Sequence, residues 1–103
     1  MTYHDLVESY RTLPREVPTA PITICKPSWF YVYEKNDHVY ISSGRTHDKN
    51  CKISHDRVLQ EKEFPVMLEL YQKRKKEIPV SAEALEVSIN SSYWFGIFKD
   101  LDL

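Results

Sequence analysis

Apolar and polar positions alternate most cleanly between residues 29 and 43, Trp-Phe-Tyr-Val-Tyr-Glu-Lys-Asn-Asp-His-Val-Tyr-Ile-Ser-Ser. Aromatic and β-branched residues at a period of two, interrupted by a polar pair that tolerates positive φ, predict a β-hairpin turning at Asn36 and Asp37. A two-residue primed turn there sets Glu34 opposite Val39, Tyr33 opposite Tyr40, Val32 opposite Ile41 and Tyr31 opposite Ser42. Phe30, Val32, Val39 and Ile41 then share one face, a plain core surface, while Trp29, Tyr31, Tyr33, Tyr40 and Ser42 share the other. The second face is flat and amphipathic, and is either covered by helices or a platform for a partner.

The remaining elements are arranged around this hairpin. Thr2 with Asp5 three residues later is the pattern of a capping box, and Tyr3, Leu6, Tyr10 and Leu13 make one helical stripe up to Pro14, which predicts a helix over 2–13. Pro14, Pro18 and Pro21 fix three φ angles and make 14–21 an extended, semi-rigid arm. Ile22 to Lys26 alternates like a strand before Pro27, so an edge strand is expected ahead of the hairpin, giving a small antiparallel sheet over 22–43.

Residues 44–52 are polar and non-periodic, begin with Gly44, and read as a loop. Ile53 returns to the core, and Ser54 or Asp56 can cap a short turn through Val58 and Leu59. Between 61 and 77, Phe64, Met67, Leu68, Tyr71 and Ile78 recur near helical spacing, with Pro65 acceptable only in the first turn. Residues 81–101 read as helical: Ser81 suits an N-cap for 82–87, and Asn90 opens a last helix with Tyr93, Trp94, Ile97, Phe98 and Leu101 on one face. A second hairpin around Ser91 and Ser92 is the alternative over 85–98, because Leu85, Val87 and Ile89 also alternate. The expected fold class is α+β.

Composition narrows this further. A chain of 103 residues with 42% hydrophobic content makes one domain with one core and a radius of gyration of about 13 Å. The formal charge of −1 gives no global attraction to nucleic acid or anionic membrane, yet residues 35–76 carry net +4 and residues 77–103 net −4. The N-terminus shows neither the basic nor the apolar region of a secretory leader, and the longest apolar stretch, Tyr93 to Phe98, is too short to span a bilayer. A cytoplasmic location is expected, with Cys25 and Cys51 as free thiols rather than a disulfide framework.

Four kinds of chemistry bear on this pattern. His47, Cys51 and His55 at four-residue spacing have the donor types that zinc prefers, but the paired close ligands of recognised zinc motifs are missing, so no metal is expected. Neither cysteine lies at a helix N-terminus or in a glycine-framed elbow, where a thiolate would be stabilised, and two glycines cannot build a phosphate cradle. No enzymatic activity and no cofactor are therefore expected. Arg45, Lys49, Lys52 and Arg57 with Lys73, Arg74, Lys75 and Lys76 can neutralise phosphates, but Lys73–Lys76 equally complement a helix dipole, and the last helix lacks base-reading groups; nucleic acid is the alternative reading. The favoured reading is a small interaction module. Thirteen aromatics exceed what one small core hides, and Trp29, Tyr31, Tyr33 and Tyr40 on the hairpin face, with Phe95 off the stripe of the last helix, are the candidate surface for a protein partner or a homodimer.

Overall fold

In the computed structural model, residues 2–20, 27–78, 84 and 90–103 are described. Chain order is α1 (Tyr3–Thr12), β1 (Arg15–Pro18), β2 (Trp29–Lys35), β3 (His38–Ser43), β4 (Arg57–Leu59), a 3₁₀ turn (Glu61–Glu63), α2 (Phe64–Lys75) and α3 (Ser91–Asp100). The four strands pair antiparallel in the order β1-β2-β3-β4, so each strand lies beside its sequence neighbour. The α+β class is thus observed, and the radius of gyration of 12.8 Å matches the chain length.

The hairpin forms in the register that the alternation predicts, from Tyr31 opposite Ser42 to Glu34 opposite Val39. Asn36 and Asp37 both have positive φ, 52° and 63°, as a primed two-residue turn requires. The Asp37 amide donates to the Glu34 carboxylate at 2.9 Å, which ties the turn to the strand before it. Phe30, Val32, Val39 and Ile41 are all fully buried. Val17 of β1 and Leu59 of β4 extend the same buried face across the sheet.

The three helices given above lie on the side of this face. The Thr2–Asp5 capping box starts α1, which packs across β2 and β3 through Leu6, Val7 and Tyr10. Leu13 departs from the expected stripe: α1 stops at Thr12, and Leu13, between the last turn and Pro14, is 59% exposed. Pro65 sits in the first turn of α2, where its missing N–H leaves no bond unmade. The expected helix over 61–77 is shortened at both ends, by the 3₁₀ turn before Phe64 and by Glu77, whose φ of 64° lies outside helical space.

Two further expectations change. Residues 15–18 are not part of a free arm but a strand, since Arg15-Glu16-Val17-Pro18 alternates against β2 and puts Val17 opposite Phe30. The prolines are accommodated because Pro14 precedes this edge strand and Pro18 ends it. Residues 57–59 likewise join the sheet, where a capped turn was expected, because pairing Leu59 with Val39 buries Leu59 completely. The anticipated strand at 22–26 and most of the anticipated helix at 82–87 lie outside the described residues, although Ala84 is buried.

Helix rather than hairpin holds over 91–98, with Trp94, Phe95, Ile97 and Phe98 fully buried. Asn90 occupies the N-cap position without capping; its side-chain oxygen instead accepts from Arg57 at 3.2 Å. Gly96 lets α3 lie directly on the end of β1, because a Cβ there would stand 2.5 Å from the Pro18 carbonyl oxygen.

Candidate functional site

With the helices gathered on one side, the other side of the sheet carries Glu16, Tyr31, Tyr33, Tyr40, Ser42 and Val58, all half-exposed. This is the direct result of strand alternation. Tyr31 and Tyr33 lie on one strand two residues apart, and Tyr33 is opposite Tyr40 on the next. Their rings are nearly parallel, with centroids 5.8 Å apart for Tyr31 and Tyr33 and 5.6 Å for Tyr33 and Tyr40. Three tyrosines thus form one continuous row of aromatic surface.

A loop rises at one end of the row. Gly44 begins it because a Cβ would collide with the Trp29 carbonyl oxygen, and Trp29 and Cys51 are tied by the Cys51 amide to the Trp29 carbonyl at 2.8 Å. His47 of this loop lies flat on the Trp29 indole, centroids 3.6 Å apart and planes 2° from parallel. Glu16 of β1 anchors the same loop. Its carboxylate accepts from the Thr46 hydroxyl at 2.6 Å, from His47 Nδ1 at 3.0 Å, and from the Arg45 and Thr46 amides. The Thr46 hydroxyl above all, with His47 and the two amides, holds the Glu16 carboxyl down at about 2 despite the opposing effect of desolvation.

A second carboxylate, Asp56, stands on the other side. It accepts the Tyr33 hydroxyl, and that bond together with one from Ser42 keeps it below the ordinary carboxylate range. The Tyr33 phenol is pushed up to about 12, first by desolvation and then by Asp56. Between these groups lies a cleft of about 440 Å³, floored by Tyr31, Tyr33 and Ser42 and walled by Glu16, Arg45 and Asp56. A shallower cleft of about 360 Å³ continues along the sheet past Tyr40 and Val58 to Lys62. Arg45 and Lys35 are exposed and act on Asp56 from a distance. The surface therefore combines an aromatic centre, two ionised carboxylates and two cations, with no net charge.

Of the sequence-derived surface candidates, Trp29, Tyr31, Tyr33 and Tyr40 lie on this face, and Phe95 does not. Phe95 is fully buried between Tyr71 and the Arg74 guanidinium, because α3 is enclosed all round rather than on one stripe. The three residues weighed for zinc are not brought together: His47 is held by Trp29 and Glu16, Cys51 is half-buried beside Tyr93, and His55 is exposed. Among the described residues no group of three or more His, Cys, Asp or Glu is placed to hold a metal. Burial pushes the Cys51 thiol up, which disfavours the nucleophilic thiolate.

The basic residues stand in different surroundings. Arg45 borders the cleft, the Lys49 carbonyl takes the Trp29 amide, Lys52 is exposed, and Arg57 donates to Asn90. At the end of α2, Lys73 pairs with Glu69 at 3.8 Å, Arg74 donates to the Ala20 carbonyl at 3.0 Å, Lys75 donates to the Leu103 carbonyl at 2.6 Å, and Lys76 is exposed.

Glu16 escaped the sequence reading because the three prolines around it spelled an arm. The alternation of Arg15, Glu16 and Val17 was the signal for it. No helix among the described residues is long and apolar enough to cross a membrane. Compared with protein-family models, with curated proteins and with solved structures, the chain finds no match, so the site stands on its own geometry.

Proposed function

We propose that this chain is a non-enzymatic interaction module that self-associates through the open face of its sheet. The observation that carries the reading is the row of half-exposed Tyr31, Tyr33 and Tyr40 on a face that none of α1, α2 and α3 covers. An aromatic centre with a charged rim is the usual anatomy of a protein interface. Nucleic acid has less support here, because the ionised Glu16 and Asp56 stand among the very rings on which bases would stack.

Size sets the expected strength. Four strands about 4.8 Å apart, the longest of them seven residues rising about 3.3 Å each, limit the face to roughly 14 by 23 Å in plan. Even with the rim this lies at the small end of specific interfaces, so a dissociation constant of about 1–100 µM is expected. Sedimentation equilibrium tests it. The parent should be partly dimeric at about 100 µM, and Tyr31→Ser with Tyr40→Ser should be monomeric with an unchanged circular dichroism spectrum. A parent that stays monomeric at about 300 µM would refute self-association.

A further inference from the structure

Building on that reading, we infer that the dimer is two-fold symmetric and that Arg45 of each protomer completes the cleft of the other, beside the Tyr31 and Tyr33 rings and against Asp56. Two observations lead here. The first is charge: the face carries Glu16 and Asp56 against Arg45 and Lys35, and so has no net attraction for either polyanions or polycations. A surface with both signs set apart on it is complementary to a rotated copy of itself, where residue i meets residue j and j meets i.

The second observation is the state of the two groups. Arg45 is exposed and makes no ion pair with a described residue, although it stands in the same cleft as Asp56. Asp56 is stabilised as the anion by neutral hydroxyls, from Tyr33 and Ser42, so its charge is not cancelled by those contacts. A two-fold axis lying in the interface plane above the cleft, midway between Arg45 and Asp56, carries each arginine over the other protomer's aspartate. It also brings each guanidinium beside the Tyr31 and Tyr33 rings that floor the cleft. Two equivalent cross pairs result, while Glu16 stays occupied with its loop.

A charge exchange tests this. Arg45→Glu and Asp56→Arg are each expected to weaken self-association at least tenfold, since each sets like charges against one another in both copies of the contact. Mixed in equal amounts, the two variants should form a heterodimer, visible by mass in native mass spectrometry, with affinity within about threefold of the parent. Circular dichroism and melting temperature establish that each variant is folded. Should Asp56→Arg unfold, Asp56→Asn takes its place, with about a three- to tenfold loss expected and a flatter dependence of association on salt. An Arg45→Glu variant that dimerises like the parent, or two folded variants that stay monomeric when mixed, would overturn the cross pair while leaving self-association standing. A monomeric parent would instead remove the reading on which it rests.

Discussion

The backbone amide of Val39 donates to the hydroxyl of Tyr3 at 2.9 Å, and that hydroxyl donates in turn to the Leu59 carbonyl. A side chain from α1 thereby bridges two strand partners, Val39 and Leu59, and joins the sheet to the first helix. Tyr3→Phe keeps the ring and leaves a buried amide and a buried carbonyl each short of a partner. The cost is expected to be about 1–3 kcal/mol in urea denaturation. A loss below about 0.5 kcal/mol would show that the two strands close up without the hydroxyl.

Gly96 gives a second test of packing. The methyl group of Gly96→Ala would meet the Pro18 carbonyl oxygen, which is backbone and has little room to yield. Overpacking of this kind costs about 1–3 kcal/mol, although alanine favours helix more than glycine does. Thermal unfolding should show a lower melting temperature for the variant, and a higher one would mean that α3 lifts freely from β1.

Glu16 sets an acid limit on stability. Its carboxyl lies at about 2 in the folded chain against an ordinary 4.5, so folding favours the ionised form. That stability is fully present above pH 4.5 and is lost as pH falls from 4.5 towards 2. The parent and Glu16→Gln should therefore differ most in melting temperature near pH 7 and converge towards pH 2. A difference that is the same at pH 7 and pH 3 would mean that the loop contacts do not depend on the charge.

Duplex DNA should not bind. Trp94, Phe95, Ile97 and Phe98 put α3 inside the core, where it cannot enter a groove, and Arg74 and Lys75 at the end of α2 already donate to backbone carbonyls. Fluorescence anisotropy at about 0.15 M salt should show no binding below about 10 µM protein. Sub-micromolar binding that weakens steeply with salt would restore the basic segments as the functional surface.

The hairpin, its register and its turn were legible from the residues alone, as were the cap of α1, the place of Pro65 and the buried set Phe30, Val32, Val39 and Ile41. Each depends on interactions between residues close in sequence, where a period of two, a capping pair or a restricted φ already selects the structure. The tertiary structure alone decided that residues 15–18 and 57–59 are edge strands, that Phe95 is enclosed, and that Glu16 and His47 hold the loop over Trp29. Those outcomes come from contacts between residues distant in the chain, as between Val39 and Leu59 or Glu16 and Thr46, and an aromatic side chain is spelled the same whether its ring meets a helix or water. Tyr33 and Phe95 were equal candidates in the sequence. The packing of α1, α2 and α3 on one side of the sheet left the first half-exposed and put the second in the core.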